Sequence, residues 1–254
     1  RLDALQRWSA AEHARLAPLM AARKRDGFIR ECHGDLHLGN LAWADDRLLV
    51  FDCLEFNAEL RWIDVISEIA FCYMDLLQRG HTAWAWLFLN LWLETTGDYA
   101  GLALLRYYAV YRALVRTKIA LLRAGQTDGA PHDAALHDAR AYLALATTLT
   151  RPLPARLSIT HGLSGSGKTT VTTERMQTPG AIRVRSDVER KRLAGLDALA
   201  QSGSAVGAQL YAADATARTY GRLAELAGML LDAGWPVIVD ATCIARWQRD
   251  LLRD

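Results

Sequence analysis

Apolar positions recur at helical spacing through most of the first 150 residues, then the period changes. Residues 1–26 are rich in Ala, Leu and Arg, with Leu2, Leu5, Trp8, Leu16, Leu19 and Met20 in helical phase up to Gly27. Phe28–Glu31 reads as a short strand. Leu41–Trp43 and Leu48–Phe51 flank the turn Ala44–Arg47 and predict a β-hairpin, with Asp52 directly after it. From Leu60 the pattern predicts helices over 61–79, 82–95, 99–124 and 132–149, broken at Gly80, Gly97-Asp98 and Gly125–Pro131. The run Ala83–Leu93 is the most apolar stretch. It is too short to cross a bilayer, which takes about 20 residues, so it reads as a buried helix with Trp84, Trp86 and Trp92 in the core.

Thr150–Ala155 (TRPLPA) ends the helical pattern, because Pro152 and Pro154 cannot continue a helix. Two domains are expected, 1–150 and 156–254. In the second, strands are predicted at Arg156–Thr160, Ala181–Arg185 and Pro236–Asp240, and helices at 168–177, 188–193, 207–233 and from Arg246 onward, with a loop at 195–203. Strand alternating with helix predicts a doubly wound parallel sheet. The overall expectation is α+β followed by α/β.

Composition narrows the class only modestly. Of 254 residues, 51% are hydrophobic and 23% charged, which predicts packed cores rather than disorder. The net charge of +2 argues neither for nor against nucleic acid, and no long basic run appears; nucleic acid is expected only as a kinase substrate. The four cysteines are scattered, which fits free thiols in a reducing, cytoplasmic setting, with no membrane partner expected. The chain opens without Met and closes inside a helical pattern, so a fragment of a longer protein is expected. Oligomeric state is not legible.

The sharpest motif is Gly162–Thr169 (GLSGSGKT), the P-loop spacing G-x-x-x-x-G-K-[ST]. Backbone N–H groups wrap a phosphate chain only where side chains do not obstruct. The following helix also turns its positive end toward the anion. The expected nucleotide-binding residues are Gly162, Leu163, Ser164, Gly165, Ser166, Gly167, Lys168, Thr169 and Thr170. Lys168 supplies a mobile positive charge, and Thr169 a hydroxyl for Mg²⁺. Asp240, ending an apolar strand, is the expected Walker-B-like metal carboxylate. Asp187 is placed to meet an acceptor hydroxyl as base or orienting group. Arg185, Arg190 and Arg192 either hold an anionic acceptor or form a solvated helix face. ATP and Mg²⁺ are the expected cofactors, and a small molecule or nucleotide the acceptor.

A second constellation lies in CHGDLHLGN at 32–40. His33, Asp35 and Asn40 have H-x-D-x-x-x-x-N spacing, and Asp52 follows the hairpin. An Asp on a loop can orient a hydroxyl proton, while Asn40 and Asp52 offer hard oxygens to Mg²⁺. HGDLHLGN followed by VFDCLEF resembles the C-terminal lobe of aminoglycoside phosphotransferase-like kinases, which have a protein-kinase-like fold. The resemblance implies a catalytic role for Asp35 and metal roles for Asn40 and Asp52. It also implies bracing roles for His33 and His37, and makes Asp64 a buried brace of the loop. Glu55 is left between a supporting role and a capping acid. His132, Asp133 and His137 read as a polar helix start. The N-lobe of such a kinase is absent from this chain, so little activity is expected from the first half alone.

The P-loop half resembles small kinases of the gluconate kinase, adenylylsulfate kinase, polynucleotide kinase and zeta-toxin type. Gly162–Thr169, SDVERKRL at 186–193 and VIVDAT at 237–242 carry that resemblance. It implies acceptor contact by Asp187, and that a lid and the last strands lie beyond Asp254. Together the halves resemble a bacterial bifunctional pairing of the two kinase types. The alternative is a P-loop ATPase or regulatory module joined to a pseudokinase-like scaffold.

Overall fold

The computed structural model describes residues 2–197 and 213–253. Most of the expected 195–203 loop and the first residues of the expected 207–233 helix lie outside the described residues. The chain forms two compact units, Arg1–His81 with Gly101–Arg151, and Thr82–Ala100 with Pro152–Asp254.

The first unit is mainly helical. Helix α1 (Leu2–Arg25) is followed by strand β1 (Ile29–Glu31) and a 3₁₀ turn at Leu38–Asn40. Strands β2 (Leu41–Ala44) and β3 (Arg47–Val50) then pair antiparallel, Leu41 opposite Val50 and Ala44 opposite Arg47. Asp45 and Asp46 both take positive φ, the backbone that lets a two-residue turn follow the twist of its strands. A short helix α2 (Ala58–Arg61) leads into strand β4 (Trp62–Asp64) and helix α3 (Val65–Gln78). The predicted helix at 61–79 is therefore shorter at its start. Trp62–Asp64 instead pairs antiparallel with β1, and Asp64 caps α3 by accepting from the Ile66 N–H at 2.9 Å. An N-cap residue needs extended backbone, which ends any helix reaching it from upstream.

Buried Asp64 also takes two hydrogen bonds from Arg23, at 2.7 and 2.9 Å, tying α1 to α3. The expected brace is thus a helix-to-helix tie. Helices α5 (Leu102–Ala124) and α6 (Ala130–Leu149) complete the unit, with α5 packed on both α3 and α6. Both bury alanines, which let helix backbones approach closely. Pro131 sits in the first turn of α6, where its missing N–H costs nothing.

The second unit is built on three parallel strands, β5 (Leu157–Ile159), β6 (Ile182–Arg185) and β7 (Val237–Asp240), in the order β5-β7-β6. The carboxyl ends of all three strands therefore share one edge of the unit. Around them lie α7 (Lys168–Arg175), α8 (Ser186–Leu193), α9 (Ala213–Asp232) and α10 (Arg246–Arg253). Helix α4 (Thr82–Thr96), although it precedes α5 in the chain, belongs to this unit. Its Leu87 packs against the core of Met176, Ala181 and Ile238. Of its tryptophans, Trp86 is buried against Trp235, but Trp84 is 64% exposed, contrary to its expected core position. The apolar run wraps all sides of the helix, and only one side is covered. No helix among the described residues is long and apolar enough to cross a membrane.

Candidate functional site

Strand β5 runs into the P-loop, and α7 begins at Lys168. The residue capping α7 is Gly167, at φ +80°, a left-handed backbone that a side chain would strain. Lys168 Nζ donates to the Leu163 carbonyl at 2.5 Å and lies 3.4 Å from Ser166 Oγ, so its side chain spans the loop. At the loop's start the Gly162 N–H donates to the Thr242 carbonyl at 3.0 Å, fastening it to the segment after β7.

Asp240 ends the central strand and is buried. Its Oδ2 accepts from Thr169 Oγ1 and from Thr172 Oγ1, each at 3.0 Å. A hydroxyl and a carboxylate within hydrogen-bond reach form the hard-oxygen set that suits Mg²⁺. Thr172 is the supporting residue that the sequence reading missed. Its signal was the hydroxyl run KTTVTTER, which places Thr172 one turn after Thr169 on the same helix face.

Thr169 and Asp240 open onto a cleft of about 730 Å³. Ser164, Gly165, Gly167, Lys168, Thr169, Thr170, Asp187 and Asp240 line it, whereas Gly162, Leu163 and Ser166 are not among its lining residues. Leu163 is exposed, and its carbonyl serves Lys168. Asp187 stands on the first turn of α8, which starts at Ser186 rather than at 188. Lys191 Nζ donates to Asp187 Oδ2 at 2.8 Å. Arg185 and Arg190 also line the cleft. Arg192 is drawn away, donating to the Glu94 carbonyl at 2.6 Å and pairing with Glu189. Thr216, Tyr220 and Gln248, none of them legible as site residues, line the cleft as well. The Tyr220 hydroxyl accepts from the Cys243 N–H at 3.0 Å and lies 3.1 Å from Thr242 Oγ1. Burial pushes its pKa up.

In the first unit the loop at 32–40 is held from several directions. Buried Glu68 accepts from the His33 and Gly34 N–H groups at 3.1 and 3.0 Å. Arg112 donates to the Gly34 carbonyl at 3.0 Å and to Ser67. Asp75 accepts from the Leu38 N–H at 3.0 Å and from the Tyr142 hydroxyl at 2.7 Å. Burial raises the Glu68 pKa, against the lowering effects of the Gly34 N–H and Arg112.

His33 Nε2 lies 2.8 Å from the Phe51 carbonyl, joining the loop to the hairpin. His37 Nδ1 accepts from the Gly39 N–H at 3.0 Å, and its Nε2 lies 3.4 Å from Asp35 Oδ2 and 3.3 Å from Arg116 Nη1. Asn40 Nδ2 donates to the Asp35 carbonyl and lies 3.3 Å from Asp35 Oδ2. Burial pushes the Asp35 pKa up, but the His37 hydrogen bond, the charges of His37 and Arg116, and Asn40 together bring it below the ordinary value. The loop and its 3₁₀ turn therefore bring Asp35 and Asn40 side by side. Asp52, exposed and at φ +62°, comes in through its backbone, its carbonyl 3.5 Å from Asn40 Nδ2. Among the described residues no group of three or more His, Cys, Asp or Glu is arranged to hold a metal. Glu55 is exposed; its carbonyl accepts from Arg61, and its carboxylate lies 3.7 Å from Cys53 Sγ.

Residues 157–254 match the family model described as AAA domain. Over these residues, which include the P-loop, the chain is similar to that family. Over 224 residues the chain is 33% identical to an uncharacterised protein of Mycobacterium tuberculosis strain H37Rv and to another of Mycobacterium bovis. The match covers 88% of this chain and 44% of each relative, so the chain spans less than half the length of the proteins it resembles. No solved structure matches it.

Proposed function

We propose that the second unit binds ATP with Mg²⁺ and transfers the γ-phosphoryl group to a hydroxyl of a small molecule or nucleotide. The observation that carries this reading is the Thr169–Asp240 pair opening onto the same cleft as Asp187, with Lys168 beside it. The cleft volume suits a nucleotide with a small acceptor. Thr169 and Asp240 would hold Mg²⁺, whose chemistry there would be to offset phosphate charge. Lys168 would leave the Leu163 carbonyl for the phosphate chain. Asp187 would accept the acceptor's proton as its oxygen bonds to the γ-phosphorus and the bond to the β,γ-bridging oxygen breaks, with ADP leaving.

The first unit is proposed as an aminoglycoside phosphotransferase-like C-lobe, with Asp35 as catalytic carboxylate and Asn40 and Asp52 toward metal, making the parent protein bifunctional. Its support is the Asp35–Asn40 contact on a loop braced by Glu68, Arg112 and Asp75.

The AAA description favours a second reading, in which the P-loop unit is an ATPase or nucleotide-gated module. Single-turnover reactions of the chain with γ-labelled ATP, Mg²⁺ and a metabolite pool separate the two. Label on an organic acceptor, lost in Lys168→Ala, supports the kinase. Label in inorganic phosphate alone replaces the kinase with the ATPase. Products lost selectively in Asp35→Ala would establish the first site.

A further inference from the structure

The residues of helix α4 do more than pack. Among the described residues strand β6 lies at the edge of its sheet, so one row of its backbone groups has no neighbouring strand there. Asn90 of α4 takes that place: its Oδ1 accepts from the Arg183 N–H at 2.7 Å, and its Nδ2 donates to the Ala181 carbonyl at 3.0 Å. One side-chain amide thus satisfies the donor and acceptor that a further strand would have met.

One turn later, buried Glu94 takes two hydrogen bonds on Oε1 from Arg183, at 3.0 and 2.8 Å. Its Oε2 lies 3.3 Å from Arg185 Nη1. Both arginines lead to the phosphate site. Arg183 Nη1 reaches Thr173 Oγ1 at 2.7 Å and Thr172 Oγ1 at 3.4 Å, and Thr172 is one of the two hydroxyls held by Asp240. Arg185 lines the cleft itself.

We propose that α4 is a working part of the phosphate site, with Glu94 as the positioning residue that balances charge beside Asp240 and orients Arg185. The inference rests on the reading of this cleft as an ATP and Mg²⁺ site and extends it to a helix that no P-loop motif contains. The charges give its sign. Glu94 and Asp240 carry two negative charges against the two positive ones of Arg183 and Arg185. Neutralising Glu94 leaves an excess positive charge two hydroxyl contacts from the carboxylate that would receive the cation. It also frees Arg185 toward the anionic phosphates. Mg²⁺ binding then weakens, while binding of metal-free ATP does not.

The test is titration of the whole chain with a fluorescent ATP analogue, with and without MgCl₂, with circular dichroism as the folding check. In Glu94→Gln the gain in affinity on adding Mg²⁺ is expected to shrink by about tenfold, with metal-free affinity within twofold of wild type or tighter. The double variant Glu94→Gln with Arg183→Gln, which removes both members of the buried pair, should recover most of that gain. Equal loss in both conditions marks a purely structural helix and overturns the proposal, as does no change in either. Should Glu94→Gln fail to fold, Arg185→Gln removes one of the two positive charges instead, and the Mg²⁺ gain is then expected to rise. An unaltered Mg²⁺ gain in that variant overturns the proposal too. Wild-type chain that binds no nucleotide in either condition overturns the ATP reading itself and this inference with it.

Discussion

Thr169 Oγ1 donates to Asp240 Oδ2 at 3.0 Å, joining the first turn of the helix after the P-loop to the end of the central strand. The two residues are 71 positions apart in the chain. The parallel register that sets Ile159 opposite Val239 brings them together. Asp240→Asn keeps the side-chain shape but removes the charge. It is expected to weaken Mg²⁺-dependent nucleotide binding by about 10–100-fold, with a smaller effect on metal-free binding. Isothermal titration with and without Mg²⁺ measures both. Equal affinities for variant and wild type in Mg²⁺ would remove Asp240 from the site.

The Asp35 carboxylate should titrate below its ordinary range, because His37, Arg116 and Asn40 favour its charged form more than burial disfavours it. Its folded pKa is depressed, so its contribution to stability is present above the unfolded value. That contribution is lost as pH falls through the folded value. Carbon-13 NMR of the carboxyl group should give a midpoint below that of an ordinary aspartate. In His37→Ala the midpoint should move upward, and an unmoved midpoint would contradict the contact.

Glu68 holds the backbone of the 32–40 loop through the His33 and Gly34 N–H groups. Hydrogen bonds to a charged group contribute about 1.5–3 kcal/mol. Glu68→Ala should therefore raise amide hydrogen exchange at residues 33 and 34 by at least about tenfold, while amides in the middle of α5 stay protected. Protection retained at both loop amides would show that Arg112 and Asp75 suffice to hold the loop.

Gly180 lies against the indole of Trp86, at φ +96°, and a Cβ there would collide with the ring. Gly180→Ala should destabilise the second unit by about 1–3 kcal/mol through overpacking, with a further cost from the left-handed backbone. Thermal unfolding should show the loss, and adding Trp86→Leu should relieve the steric part only. An unchanged melting temperature would mean that α4 yields easily to the strand.

Much of the chemistry was legible because it is local. The P-loop needs only eight consecutive residues, Gly162–Thr169, and its geometry follows from glycine backbone freedom and a helix start. The Asp45–Asp46 hairpin, the major helices and the three apolar strands were readable for the same reason: period and turn chemistry act over a few positions. The sequence alone also marked Asp35, Asn40, Asp187 and Asp240 as the groups to watch.

The tertiary structure decided which of these groups meet and what supports them. Thr172, Arg183 and Glu68 carry no motif, since a buried polar residue reveals its role only through a partner distant in the chain. Trp62–Asp64 departed from helix because pairing with β1 and capping α3 outweigh a short run's helical preference. Helix α4 departed furthest from expectation. Its sequence reads as one more apolar helix of the first half, yet Asn90 and Glu94, polar and one turn apart, complete the edge of a sheet formed about 90 residues later. Hydrophobic periodicity says that a face is buried. Only the unmet hydrogen bonds and charges of the surface it covers determine which face receives it.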